Sequence, residues 1–173
     1  LAESLLNRSY QGYLKRFNQL WVPDLPPPNN LSMNMSKLIW PNVYFIGIDS
    51  RLMLKPSKKV YDTLSILSGP EPQRSLLENE IIEKLSNVQG MHCIIRGSNT
   101  PMKEITNSNI TRIDLASSKE INAQINQSER VICRAGYTSI MDMIVLKKSA
   151  ILVPTPGQVE QEYLAESLSK KQW

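Results

Sequence analysis

Short apolar runs alternate with longer amphipathic segments along residues 60–173. The runs predict strands at Leu64–Leu67, Cys93–Ile95, Ile110–Leu115, Val131–Cys133 and Ala150–Val153. The intervening segments predict helices at Ser75–Leu85, Ser118–Ile125, Thr138–Leu146 and Glu160–Lys170. Runs that are apolar throughout are typical of strands covered on both faces, so alternating strands and helices predict a parallel sheet with flanking helices. The predicted fold class is α/β.

Residues 1–52 follow a less regular pattern. Apolar residues recur at spacings of three and four between Leu5 and Phe17, which predicts an amphipathic helix. Short strands are predicted at Leu20–Val22 and Val43–Ile48. The proline-rich segment between them cannot continue a β-ladder and is predicted to be an exposed loop.

A polar, proline-containing segment at residues 53–59 separates these two patterns. We interpret it as a linker, which divides the chain into a domain at 1–52 and a domain at 60–173. Within the second domain, Ser75 to Glu78 and Ser117 to Glu120 both follow the Ser-x-x-Glu pattern of a capping box. Each pattern predicts the start of a helix.

The composition is that of an ordinary soluble globular protein, with 41% hydrophobic and 21% charged residues. A net charge of +4 suits anionic ligands without requiring nucleic acid. Because no cluster of Lys and Arg with interleaved aromatic residues occurs, we expect no nucleic-acid partner. No apolar stretch approaches the roughly 18 residues of a membrane span, and we expect a cytoplasmic protein with at most a peripheral association with the inner face of the membrane.

Two cysteines and one histidine bear on metal and redox chemistry. Cys93 and Cys133 lie in apolar runs, which predicts buried free thiols in a reducing compartment. His92 has no Cys or His partners at metal-ligand spacing and is interpreted as structural, so we expect no metal and no cofactor. The absence of Gly-x-Ser-x-Gly, Gly-x-x-x-x-Gly-Lys-Ser/Thr and Gly-x-Gly-x-x-Gly argues against serine hydrolases, P-loop ATPases and ordinary dinucleotide dehydrogenases.

The turn from Cys133 to Ser139 is the stronger candidate for ligand binding. Gly136 lets a ligand approach the backbone, and the free amides of the following helix start form an anion site. Asp142 lies six residues after Gly136, a rise of roughly 9 Å, which is about the distance from a nucleotide's phosphate to its ribose hydroxyls. The alternative is that Gly136 only permits a tight turn and Asp142 is an exposed helix residue.

A second candidate is the turn from Ser68 to Ser75. Pro70 and Pro72 remove two amides that could bind phosphate. Arg74 could replace them with a bidentate charged contact. The alternative is a rigid turn whose Arg74 is solvated.

The run Arg134-Ala-Gly-Tyr-Thr-Ser-Ile-Met-Asp142 is followed by Ala150-Ile-Leu-Val-Pro154 and Gln158-Val-Glu-Gln-Glu-Tyr163. Together they resemble the C-terminal half of family 28 glycosyltransferases, the family of the UDP-N-acetylglucosamine transferase that makes lipid II. In that family an Arg-Ser/Ala-Gly turn precedes an acid six residues after the Gly, and a Val-Pro strand end precedes a Gln pair and a Tyr. The resemblance therefore spans two consecutive strand-helix units.

The resemblance extends toward the N-terminus. Gly47-Ile-Asp-Ser-Arg51 resembles the family's Gly-Asn-Pro-Val-Arg segment at the domain junction, and Ser68 to Arg74 aligns with its Gly-Gly-Ser-Gln-Gly-Ala phosphate loop. Pro70 and Pro72 replace small family residues, and Glu162 stands where the second Gln of the pair is expected. The substrate-binding residues that the resemblance implies are Arg51, Gly69, Arg74, Gly136, Tyr137, Thr138, Asp142, Gln161 and Glu162.

The resemblance implies a GT-B architecture, in which two Rossmann-like halves bind acceptor and donor. Residues 1–52 would end the acceptor domain, and residues 60–173 would form most of the donor domain, so the chain would be a fragment. The implied activity is transfer of N-acetylglucosamine or a similar hexose from a UDP-sugar to an acceptor hydroxyl, with inversion. The acceptor would be a lipid-linked molecule or a saccharide, and the rest of the acceptor domain or a separate subunit would bind it.

Two other functions are compatible with the same residues. A UDP-sugar hydrolase or epimerase of the same fold would bind the donor in the same way as a glycosyltransferase. A non-catalytic nucleotide-binding module or subunit would bind it without turnover. The resemblance identifies no catalytic residue in this chain.

Overall fold

The computed structural model describes residues 12–13, 16–33, 42–100 and 109–170. The chain divides into two compact units, Leu1–Asp49 and Ser50–Trp173. The predicted helix between Leu5 and Phe17 lies mostly outside the described residues. The assignment of the first unit to an acceptor domain stays a prediction.

In the first unit two short strands run parallel, β1 (Leu20–Val22) and β2 (Val43–Phe45). The second strand is shorter than predicted, since it ends at Phe45. After β1 the proline-rich loop folds around the fully buried carboxylate of Asp24. This carboxylate accepts hydrogen bonds from the backbone N–H of Leu31 at 2.8 Å and from the hydroxyl of Ser32 at 2.8 Å. The Asp24 side chain thus holds a loop that forms no β-ladder of its own.

The second unit contains five strands and four helices among its described residues. In chain order they are β3 (Tyr61–Ile66), α1 (Gln73–Ser86), β4 (His92–Ile95), β5 (Ile110–Ile113), α2 (Ser118–Gln127), β6 (Ser128–Arg134), α3 (Tyr137–Val145), β7 (Ala150–Val153) and α4 (Val159–Lys170). All five strands are parallel, in the spatial order β5-β4-β3-β6-β7. This confirms the predicted α/β class and gives the strand order of a doubly wound Rossmann-like sheet.

The centre of the sheet is buried and mainly apolar on both faces, as the apolar runs predicted. Leu64 on β3 lies opposite Cys93 on β4 and Val131 on β6, and none of the three is exposed. Together with Ile125 of α2 they form one core cluster. On the other face Ile94 packs in a second cluster with Leu77, Ile81 and Leu85 of α1. The helices therefore cover both faces of the sheet.

Both cysteines are free and buried, as predicted. Burial raises the pKa of the Cys93 thiol to about 11. The thiol is therefore protonated at neutral pH, which matches a small apolar core residue rather than a nucleophile.

One of the two predicted capping boxes is confirmed and the other is wrong. The Ser117 hydroxyl accepts from the Glu120 backbone N–H at 3.3 Å, and the Glu120 carboxylate accepts from the Ser117 N–H at 2.7 Å. By contrast, α1 begins at Gln73 behind Pro72, so Ser75 already lies inside the helix. Proline suits a helix start because its fixed φ is helical and its missing N–H needs no acceptor.

Residues 53–55, which we interpreted as part of a linker, lie along α2. The backbone N–H groups of Met53 and Lys55 donate to the side-chain oxygens of Asn122 and Asn126 at 2.8 and 2.9 Å. The Asn126 amide also donates to the Met53 carbonyl at 3.1 Å. The two asparagines lie one helical turn apart, so their side chains replace a neighbouring strand as hydrogen-bond partners for this segment.

Candidate functional site

The strand order brings the two candidate turns to one edge of the sheet. β3 and β6 are neighbours, with Ile66 opposite Cys133 at their carboxyl ends. The turn that begins at Ser68 comes after β3, and the turn that contains Gly136 comes after β6. In doubly wound sheets ligands bind at the point where the strand order reverses, and here that point lies between β3 and β6.

A cavity of about 170 Å³ opens at this edge. Three predicted site residues line it, namely Arg51, Thr138 and Asp142. Ser68 of the first turn also lines it, and Cys133 forms part of its floor. Burial and the negative charge of Asp142 raise the pKa of the Cys133 thiol to about 12, so this thiol is not a nucleophile at neutral pH.

Asp142 is held by a residue that our sequence analysis did not select. The Ser50 hydroxyl donates to Asp142 Oδ1 at 2.5 Å and accepts from the Leu52 N–H at 3.0 Å. The signal in the sequence was the position of Ser50 directly before Arg51, in the segment that resembles the family's domain junction. The bond joins the start of the second unit to α3.

Gly136 precedes α3 with φ −77° and ψ 144°, a conformation open to every residue type. The alternative that this glycine only permits a tight turn is therefore not supported. A Cβ at this position would meet only the Ser139 hydroxyl, at 3.8 Å. No side chain caps the helix start, so its first amides and the helix dipole face an uncrowded space, as an anion site requires.

Arg134 is a buried cation behind this turn, with 4% of its surface exposed. Nη1 donates to the Pro154 carbonyl at 3.0 Å and Nη2 donates to the Gln73 carbonyl at 2.7 Å. Within the described part of the chain no carboxylate pairs with it, its Nε has no acceptor, and burial lowers its pKa. An uncompensated buried charge costs free energy that a bound anion would offset.

Gly69 in the first turn has φ +102°, a conformation that favours glycine. A Cβ on this residue would lie 3.8 Å from the Thr155 hydroxyl, so the turns after β3 and β7 lie close to each other. Thr155 is 3% exposed, and its Oγ1 has no hydrogen-bond partner among the described residues. The family resemblance implies a binding role for Gly69 but none for Thr155.

Arg74, which we predicted to contact phosphate, is 4% exposed. The alternative of a solvated Arg74 is therefore wrong. Its Nε donates to Glu71 at 2.7 Å, and its Nη2 also pairs with Glu71 and donates to Ser75 Oγ at 3.0 Å. Nη1 donates to Glu78 at 2.9 Å and to the Arg96 carbonyl at 3.2 Å. All five N–H groups have acceptors, so the phosphate contact stays a prediction that requires Glu71 to exchange for the ligand.

Glu78 is completely buried between two arginines. It accepts from Arg74 and, at 2.5 Å, from the Nε of Arg96. Arg96 follows β4, and its Nη1 donates to Asp114 beyond β5 at 2.6 Å. This ion-pair network joins α1 to the segments that follow β4 and β5. Through the pair of Arg74 with Glu71 it also holds the turn that begins at Ser68.

Gln161 and Glu162 hold the turn between β7 and α4. The Gln161 side-chain oxygen accepts from the Thr155 N–H at 2.9 Å, and the Glu162 carboxylate accepts from the Gly157 N–H at 2.9 Å. The Gln161 amide donates to Gln158 Oε1 at 2.5 Å. These contacts give both residues a role in shaping the turn, and their predicted contact with the sugar stays a prediction.

Neither a metal site nor a membrane span is found in the described ranges. They contain no group of three or more His, Cys, Asp and Glu side chains placed to hold a metal ion. None of the helices resolved in them has the length and hydrophobicity that crossing a membrane requires.

The model of the glycosyltransferase family 28 C-terminal domain matches residues 73–173. The match covers more than half of the chain, including the turn at Gly136, Asp142 and the turn after β7, and begins at Gln73, the first residue of α1. No curated protein matches the chain. The domain is of GT-B type, in agreement with the parallel sheet. The chain belongs to glycosyltransferase family 28 and carries its C-terminal domain.

Proposed function

We propose that this chain is the donor-binding part of a glycosyltransferase that uses a UDP-sugar. Family membership supports transfer from a nucleotide-sugar donor to an acceptor. The observation that carries the proposal is the pairing of an uncapped helix start with an acid on the same helix, Gly136 and Asp142, where the strand order reverses. In this arrangement the α3 amides bind the diphosphate, and Asp142 accepts from the ribose hydroxyls.

The size of the cavity fits part of such a ligand. Ligand pockets usually measure roughly 300–1,000 Å³, and this cavity has about 170 Å³. It accommodates the ribose and the adjacent phosphate, between Arg51, Thr138 and Asp142. The hexose, proposed to be N-acetylglucosamine or a similar sugar, lies toward Gln161 and Glu162.

The reaction is a single displacement at the anomeric carbon. The acceptor oxygen forms a bond to this carbon, the bond to the diphosphate oxygen breaks, and UDP leaves with the electron pair. The hydroxyl proton passes to a base that is assigned to none of the described residues. The chain's contribution is to orient the donor and to stabilise the departing charge, through the α3 amides and the buried Arg134.

The acceptor is proposed to be a lipid-linked molecule or a saccharide, bound by the remaining acceptor domain or by a separate subunit. The first unit, with β1 and β2, is proposed to end that acceptor domain. A cytoplasmic location, with peripheral association at the inner face of the membrane, belongs to the same proposal. Inversion at the anomeric carbon follows from the single displacement.

Thermal unfolding with a panel of nucleotides and nucleotide sugars tests the proposal. A ligand that binds only the folded state stabilises it by about 2.7 kcal/mol at a hundredfold excess over Kd. UDP and a UDP-sugar are expected to raise the Tm, and GDP, CMP and ADP are the controls. A shift with one of the controls and none with UDP or any UDP-sugar would overturn the donor assignment. Release of free sugar without an acceptor would indicate a hydrolase instead.

A further inference from the structure

The hydrogen bond from Ser50 to Asp142 gives the carboxylate a fixed orientation. A serine hydroxyl has one hydrogen to donate. Because the Ser50 oxygen already accepts from the Leu52 N–H at 3.0 Å, its hydrogen is directed to Asp142 Oδ1, at 2.5 Å. One acceptor site of Oδ1 is thereby used, and Oδ2 and the second site of Oδ1 remain for a ligand in the cavity.

Little else described in the structure would orient this carboxylate. Asp142 takes part in no ion pair among the described residues, and its neighbours along the cavity include the apolar side chains of Ile121 and Met143. An Asp side chain rotates about two bonds, and each freely rotating side chain that a ligand must immobilise reduces affinity. A hydroxyl that already holds the carboxylate removes this cost before the ligand arrives.

We propose that Ser50 is a positioning residue that holds Asp142 in the orientation needed to accept the ribose hydroxyls of the donor. The inference rests on the proposed function, since it assumes that Asp142 contacts ribose. It goes beyond that function because Ser50 does not touch the ligand and acts only through Asp142. The family segment that resembles Gly47–Arg51 has Val at the position of Ser50, so the resemblance does not imply this hydrogen bond.

Ser50 also connects the Asp142 carboxylate to the segment that lies beside α2. Leu52, whose N–H fixes the serine oxygen, is 3% exposed in the core, and the next residue, Met53, is held by Asn122. The serine is therefore attached to a docked segment rather than to a free loop. A positioning group is effective only when its own backbone is held in this way.

The test compares UDP with 2′,3′-dideoxyuridine diphosphate, which lacks both hydroxyls that Asp142 would bind. Calorimetric affinities are measured for the full chain and for Ser50→Val, Ser50→Ala and Ser50→Thr. Val and Ala remove the hydroxyl, whereas Thr retains it. Ser57→Ala is the matched control, because Ser57 lies on the same segment and its hydroxyl donates only to the Lys55 carbonyl, at 3.4 Å.

We expect Ser50→Val and Ser50→Ala to weaken UDP by about three- to tenfold, the range expected for one side chain losing its fixed orientation. The affinity for the dideoxy nucleotide should stay unchanged, and Ser50→Thr and Ser57→Ala should behave like the original chain. Because each variant is judged by the ratio of its two affinities, a change in folding stability does not imitate this result.

Two other results are distinguishable. If the original chain prefers UDP to the dideoxy nucleotide and Ser50→Val keeps that preference in full, Ser50 has no positioning role and the proposed function stands. If the original chain binds both nucleotides equally, Asp142 does not contact ribose and the inference fails, although the binding of UDP still agrees with the proposed donor.

Discussion

The Arg74 guanidinium pairs with the Glu71 carboxylate at the first turn of α1. Glu71 also accepts from the Ser75 backbone N–H at 3.2 Å. Hydrogen bonding with the Ser75 side chain, and then with Arg74, lowers the pKa of Glu71. A helix start with an arginine is a typical place for a bound phosphate. In this chain the Glu71 carboxylate lies where such a phosphate would bind.

Replacing Glu71 with Gln should therefore strengthen the binding of UDP, if Arg74 contacts the diphosphate. The variant removes the competing anion, and we expect a gain of about three- to tenfold, the effect of one charged hydrogen bond becoming available. Uridine, which has no phosphate, should bind as before. Calorimetry with both ligands measures the difference.

The control is Glu80→Gln on α1, which changes the net charge equally but affects only an exposed pair with Lys84. Adding Arg74→Ala to Glu71→Gln should abolish the gain. An unchanged affinity for UDP in Glu71→Gln would remove Arg74 from the phosphate site.

Loss of the buried Glu78 charge should destabilise the fold. Glu78→Gln leaves Arg74 and Arg96 facing a neutral group inside the protein, and breaking a buried ion pair costs about 3–5 kcal/mol. We expect about 3 kcal/mol in urea unfolding, because each arginine retains a second carboxylate. The exposed Glu80→Gln should change the free energy of unfolding by less than about 1 kcal/mol. Equal effects of the two variants would contradict the proposed importance of the network.

Asp142→Asn should weaken UDP and uridine together, since both carry the ribose. The amide retains the shape but loses the charge, which lowers affinity by about 1.5–3 kcal/mol. The Tm without ligand should change little, because Asp142 lies at the cavity and in no ion pair of the described residues. Unaltered affinity for uridine in calorimetry would show that Asp142 does not contact the ribose.

Lys148 should make the stability depend on pH. Burial, and then the nearby charge of Lys59, lower the pKa of Lys148 to about 8. Lys59 and Lys148 both donate to the Ser128 carbonyl. Since the unfolded chain keeps the ordinary pKa of about 10.4, it binds the proton more tightly than the folded chain does, and stability rises as the pH rises from about 8 to 10.4.

Urea unfolding of the original chain and of Lys148→Met at several pH values isolates this effect. At pH 7 the free energy of unfolding of Lys148→Met should exceed that of the original chain by the largest amount. This excess should shrink as the pH approaches 10. Lys59→Met should reduce the pH dependence, because it removes the second positive charge. A difference that is constant from pH 7 to 10 would contradict the lowered pKa.

Local patterns predicted local structure well. The alternation of apolar runs and helical segments predicted every strand of the parallel sheet within a few residues, and Ser117 with Glu120 predicted the start of α2 because both partners lie within one turn. Ser75 with Glu78 has the same spacing, but Glu78 pairs with Arg96, which follows β4, and Pro72 starts the helix earlier. A pattern of four residues contains no information about such distant partners.

The parts of the site that the sequence did not predict depend on residues far apart in the chain. Ser50 and Asp142 meet only because the segment before β3 lies against α2 and α3. Arg134 reaches the carbonyls of Gln73 and Pro154 only because β6 lies between β3 and β7. The spatial order of the strands decides these contacts, and the alternation of strands and helices does not determine that order.

The central position of β3 also has a consequence for the order of events during folding. β3 comes first among the five strands in the chain, yet it pairs with β6, whose residues 128–134 come much later. Pairing across such a sequence separation requires closing a long loop, which makes folding slow. The turns after β3 and β6 become neighbours only when that loop closes. If the proposed nucleotide contacts both turns, its binding during refolding should therefore appear only after β3 has paired with β6.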